Sequence, residues 1–143
     1  MLKEITEKII ELLKADAQLG IPEENFFFGP PFTRNRSPFC YVSWAGGPVQ
    51  VETFDSEVWR HDWSIIIVDL AKEDNVAEQS VLDKIERARE VLAANHTLDG
   101  LVRDSLVTRM EGETMTVGTE WGKITQIIAA ARIMLHCEVN KPV

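Results

Sequence analysis

A chain of 143 residues, 45% hydrophobic and 27% charged with four Trp, is long enough for one domain with a real core and too apolar for a disordered segment. The formal net charge of −8 and an isoelectric point near 4.9 exclude a broad nucleic-acid or anionic-membrane surface and favour a protein partner. The longest wholly apolar runs, Ile65–Val68 and Ile127–Ala131, are far too short to span a bilayer, so a soluble chain is expected.

Leu2, Ile5, Ile9, Leu12 and Leu13 recur at helical spacing with Lys3, Glu4, Glu7, Lys8 and Glu11 between them. This predicts an amphipathic helix from the N-terminus to about Leu19, stopped by Gly20 and Pro22 and supported by a Glu4–Lys8 pair. Because the helix begins at once and carries charge, the N-terminus is not read as a signal peptide. From Ile21 to Pro38 the four prolines Pro22, Pro30, Pro31 and Pro38 break any regular element. Phe26, Phe27 and Phe28 stand out there, because three adjacent aromatics cannot all face one core. They read as a short strand with two rings buried, and the remaining ring is a candidate anchor for a subunit contact. Arg34 and Arg36, the only close basic pair outside predicted helices and strands, fall in a polar loop over 33–37.

Phe39 to Trp44 is a strand, Gly46-Gly47-Pro48 a break, and Val49 to Thr53 a second, alternating strand. Asp55-Ser56 turns into the longest β-rich run of the chain, Val58 to Ala71. Short connections between these three strands predict an antiparallel meander. The long run changes character midway. Trp59, His61 and Trp63 point one way while Arg60, Asp62 and Ser64 point the other; from Ile65 to Val68 both faces are apolar, as in a strand buried on two sides.

Asp74 or Asn75 is placed to cap a second helix, with Val81, Leu82, Ile85, Ala88 and Leu92 as its apolar stripe and an end near Ala94-Asn95. Leu98 and Leu101 are positioned to pin the following connector to the core. Ser105 to Glu111 reads as a strand ending at Gly112, with residues 113–122 as a loop or frayed hairpin tip. Lys123 to Val139 alternates without interruption, placing Ile127, Ala129, Ala131, Ile133, Leu135, Cys137 and Val139 on one face; a helix over 124–131 is the competing reading. The expected fold is a single α+β domain over residues 1–143. It has a mostly antiparallel sheet of about five strands, two helices packed on one face, and the order α-β-β-β-α-β-β.

No reaction is legible in these residues. His61 and Asp62 are adjacent in a strand, so their side chains leave opposite faces and cannot act together as base and orienter. His61 and His136 lack a third metal ligand, Gly46-Gly47 precedes no helix, and no nucleophile elbow is present. Cys40 and Cys137 make no disulfide framework and are expected as reduced core thiols of an intracellular protein. These residues therefore assign no catalytic, metal or cofactor site. Trp59, His61 and Trp63, with Phe26–Phe28, are the candidate oligomer contacts. Two other readings are weighed: a small-ligand or peptide-binding module using the aromatic end of the long strand, and an enzyme assembled from His61, Glu111 and His136.

Several segments occur in an order found elsewhere: Leu-Leu-Lys-Ala-Asp-Ala-Gln-Leu (12–19), Ser-Pro-Phe-Cys-Tyr-Val (37–42), Trp-Arg-His-Asp-Trp-Ser-Ile-Ile-Ile (59–67), Leu-Asp-Gly-Leu (98–101) and the long final strand. Together the chain resembles the tail-terminator or tail-completion proteins of long-tailed phages and prophages, including the lambda-type minor tail protein. Head-completion and neck proteins share much of this pattern. The resemblance implies a structural subunit without catalytic residues or cofactor that assembles into a homo-oligomeric ring, typically a hexamer. Such a ring caps the tail tube, ends its polymerisation and offers the surface for head joining. The implied partners are further copies of the chain, the tail tube protein and head-connector or neck proteins; the implied location is the host cytoplasm during assembly and then the virion. No membrane partner and no specific nucleic-acid binding are implied, and an acidic subunit suits a pore through which DNA passes without sticking.

Overall fold

The computed structural model describes residues 1–31, 37–47, 49–51, 56–71, 76–118 and 124–142. Two helices, α1 (Leu2–Lys14) and α2 (Val76–Ala94), lie with a six-stranded sheet: β1 (Phe26–Phe28), β2 (Phe39–Gly46), β3 (Val49–Val51), β4 (Ser56–Ala71), β5 (Asp104–Gly118) and β6 (Ile124–Pro142). The sheet order is β1-β2-β4-β6-β5, with β3 paired to β4. The α+β reading holds, and the Phe26–Phe28 triplet adds a short strand parallel to β2 in an otherwise antiparallel sheet.

Helix α1 ends earlier than its apolar spacing suggests. The Asp16 carboxylate accepts the Gln18 N–H at 2.9 Å and starts a separate 3₁₀ turn over Ala17–Leu19, and Gly20 closes it in the left-handed conformation at φ 74°. Asp16 also accepts from the Arg87 guanidinium at 2.7 Å, so the same side chain that interrupts α1 ties the turn to α2. That guanidinium holds the Asp16 carboxyl below its ordinary value. The Glu4–Lys8 pair does not form; Lys8 instead reaches Glu11 at 3.0 Å and Asp99 at 3.4 Å, joining α1 to the connector after α2.

The expected meander is replaced by a different arrangement. β2 and β3 do not pair with each other; both pair antiparallel with β4 along the same edge, Gly46 opposite Asp62 and Val49 opposite Trp59. They form one line of strand, broken at Gly47. A Cβ at Gly47 would lie 2.0 Å from the Arg60 carbonyl oxygen, so only glycine lets the chain cross β4 this closely. The other edge of β4 pairs with β6 from Ser56 opposite Pro142 to Ala71 opposite Ile127, which settles residues 124–131 as strand. β5 does not stop at Gly112: that residue stays in register opposite Ala131, and pairing continues to Gly118. A glycine on an edge strand removes a side chain without removing a ladder hydrogen bond, and here it interrupts nothing.

Both helices cover one face of the sheet. Ile5, Ile9 and Leu13 of α1, and Ala77, Val81, Ile85, Ala88 and Leu92 of α2, pack on Cys40, Val42, Trp63, Ile65, Ile67, Ile133, Leu135 and Cys137. Leu82, expected in the α2 stripe, is instead exposed, and Val91 is buried in the stripe. Leu98 is fully buried and Leu101 packs against the core, as the connector reading expects. The proposed helix caps Asp74 and Asn75 lie outside the described residues.

One polar contact crosses this core. The Trp63 indole Nε1–H donates to Thr6 Oγ1 at 2.9 Å, and the same hydroxyl donates to the Leu2 carbonyl at 2.9 Å. Thr6 therefore satisfies the only polar atom of a fully buried indole and fastens α1 to β4. Thr6→Val preserves shape but leaves the indole N–H without its acceptor, and is expected to lower unfolding free energy by about 1–3 kcal/mol. Thr6→Ser keeps the acceptor and should recover most of that loss in urea melts; equal stability of Thr6→Val and the parent chain would refute the role of this bond.

Candidate interaction surface

The sheet has two unlike faces. On the side away from the helices, Phe27, Phe39 and Tyr41 form an aromatic group, with Phe27 edge-on to Phe39 at 6.2 Å and Phe39 stacked with Tyr41 at 6.4 Å. Ile66 and Val68 of β4 and Met134 of β6 continue this face, all half-buried, and no described element covers them. The run Ile65–Val68 is thus apolar on both sides but buried by helices on only one. Polar pairs border the apolar strip: the ion pairs of Arg60 with Glu138 at 3.3 Å and of Arg132 with Glu111 at 3.0 Å, and a hydrogen bond between His136 Nδ1 and Asp62 Oδ1 at 2.8 Å. Surface pairs of this kind stabilise by about 0–1 kcal/mol each, so they order the border more than they hold the fold.

The sequence-derived contact residues separate in the structure. Phe26 is buried in the core, Phe27 joins the open-face aromatics, and Phe28 projects from the edge strand with 57% of its surface exposed. Trp63 is fully buried and His61 is 4% exposed, so neither presents a surface in the folded chain. Alternation placed them on one face correctly, but that face is the one α1 covers. The side chain of Trp59 lies outside the described side chains. Among the described side chains, the aromatic that reaches solvent at this end is Trp44 on β2, opposite Trp63 and 52% exposed.

Trp44 is tethered. Its indole Nε1–H donates to His61 Nδ1 at 3.0 Å, with the rings 5.7 Å apart. Accepting at Nδ1 places the proton of neutral His61 on Nε2. Burial pushes the His61 imidazole below its ordinary value of 6.5, opposed by the neighbouring Asp62 charge. The two cysteines are also buried, and burial pushes the Cys40 and Cys137 thiols up to about 12, so both are inert core groups.

The enzyme reading does not assemble. The β4–β6 register puts Cys137 opposite His61 and His136 opposite Asp62, which leaves the two histidines on opposite faces of the sheet. Glu111 is occupied by Arg109 and Arg132. Among the described residues no three His, Cys, Asp or Glu side chains converge as a metal site, and no helix is long and apolar enough to cross a membrane.

A different feature, absent from the sequence reading, lies at the far edge of the sheet. Leu92, Ala93 and His96 at the end of α2, with Leu106, Val107 and Leu135, line a groove of about 190 Å³ beside the outer edge of β5. Its components are distant in sequence and meet only because β6 returns between β4 and β5. Leu106 at its rim is 65% exposed.

No protein-family model matches the chain, and no curated protein matches it. Among solved structures, a chain described as belonging to the virion of a native gene transfer agent particle shares this fold, with a TM-score of 0.50 and 16% identity, covering 93% of this chain and 92% of that one.

The Trp44–His61 contact has a pH signature. Because the folded chain disfavours the imidazolium, the unfolded state binds a proton first as pH falls through 6.5. The contribution of neutral His61 is complete above that value and is lost as pH falls toward the lower folded-state value. Between pH 7.5 and 5.5 the parent chain is expected to lose stability, and His61→Gln, which can still accept from Trp44 but does not titrate, to lose less. Superimposable pH dependences for the two proteins would remove His61 as the titrating group.

Proposed function

We propose that this chain is a structural subunit of a phage or phage-like virion, and that it acts as a tail terminator: a homo-oligomeric ring that caps the tail tube and presents a surface for head joining. The observation that carries the reading is the fold shared, over nearly the full length of both chains, with a chain of the gene transfer agent virion. The order of segments that resembles tail-terminator proteins narrows it from virion subunit to terminator.

The surface chemistry supports assembly over catalysis. A sheet face with Tyr41, Ile66, Val68 and Met134 half-exposed, bordered by polar pairs, has the composition of an apolar contact centre inside a polar rim. The net charge of −8 is compatible with a ring through which DNA passes, because like charge disfavours binding.

Purified protein mixed with tail tubes should give tube ends bearing a ring in negative-stain images, and mass photometry should show a species near six times the 16.2 kDa chain. A chain that stays monomeric at high concentration and also in the presence of tubes would refute the ring. Loss of the gene separates terminator from head-completion protein. The terminator reading expects tubes grown past their normal length; tails of normal length that fail to join heads would assign the neck role instead.

A further inference from the structure

A closed ring of identical subunits needs a head-to-tail contact, in which each chain presents two different and complementary patches. The two outer edges of this sheet supply such a pair. At one edge, β1 carries Phe28, aligned with Val42 and therefore on the helix side of the sheet, yet 57% exposed. At the other edge, the groove between α2 and β5 opens on the same helix side, walled by Leu92, Ala93 and Val107.

Their levels on the sheet nearly coincide. Phe28 aligns through Val42 with Ile65, and the groove wall Val107 aligns through Leu135 with Trp63, two residues earlier along β4. That offset is roughly 7 Å. Size also agrees: the groove is about 190 Å³, and an apolar cavity of about 150 Å³ accommodates benzene. Charge agrees as well. Exposed Glu23 lies three residues before β1, whereas exposed Arg89 lines the groove. The strand edges themselves are poorly suited to extend one sheet into the next, since β5 carries a bulge between Val107 and Arg109. A side chain seated in a groove avoids that obstacle.

We propose that Phe28 of one subunit docks in the α2–β5 groove of the next copy of this chain, with Glu23 set against Arg89. This rests on the ring reading above and specifies which two surfaces close the ring.

Thiol cross-linking tests it, because Cys40 and Cys137 are both fully buried and leave introduced surface thiols as the reactive ones. Pro30, two residues after Phe28, and Ala93 are both exposed, so Pro30→Cys and Ala93→Cys are expected to fold with the Phe28 ring intact. With a short bis-maleimide, the Pro30→Cys/Ala93→Cys double variant should give a ladder ending at the closed ring on a denaturing gel. Each single variant should give no cross-link, and an equimolar mixture of the two should stop at covalent dimers. If mass photometry shows rings of the double variant but no ladder forms, the contact is wrong and the ring stands. Covalent dimers from Pro30→Cys alone would mean that two β1 edges meet each other, which also overturns it. If the parent chain remains monomeric with tubes present, the contact and the ring fall together.

Discussion

The register between β4 and β6 governs most of what this molecule presents to its surroundings. Every residue of β4 from Ser56 to Ala71 has a partner on β6, so the two strands behave as one ribbon with no bulge along its length. A slip of one residue in such a pair would turn every side chain to the opposite face. The observed register places Trp63 against Leu135, Ile65 against Ile133 and Ile67 against Ala131, all on the helix side, and gives the hydrophobic effect a continuous layer to bury. The same register sends Asp62, Ser64, Ile66, His136 and Met134 to the other side. Core and open face are thus fixed by one pairing, and the edges follow, because β2 and β5 are hung on the two free sides of that ribbon.

Much of this architecture could be read from periodicity. Both helices, the long strand and the final strand follow from spacing alone, since α and β periods differ and these runs are long. The sequence was silent where the answer depends on non-local contacts. Glycine and proline after β2 signalled a break, yet whether the chain turned back or carried on depended on Gly47 crossing over Arg60, which no local pattern encodes. Gly112 looked like a terminus because glycine usually weakens a strand, but its long partner β6 carries the pairing past it.

The surface was less legible than the core, for a physical reason. Alternation states that Trp59, His61 and Trp63 share a face without saying what lies over it; α1 does, through Thr6, and so Trp63 belongs to the interior. Conversely, Ile65–Val68 reads as buried twice over, while only one side is covered by helices. An apolar side chain carries the same signal whether its own chain or a neighbouring subunit buries it. The Phe26–Phe28 triplet reads as holding one ring without a core to face, because three consecutive aromatics exceed what alternation can bury; which ring that is depends on the pairing with β2, and the exposed one is Phe28. The groove left no signal, being made from the end of α2 and the start of β5.

The ribbon also outruns its cover. At 16 residues β4 extends for about 50 Å, and β6 with 19 residues for roughly 60 Å. Helix α2 with 19 residues is only about 28 Å long. The middle of the sheet sits in a double layer, where Trp63, Ile65, Ile67, Ile133 and Leu135 are buried together beneath the helices. Interiors packed this closely deform little and transmit strain. The centre of the ribbon is thus a stiff hub, and a load applied at one edge of the sheet is passed across it to the other edge.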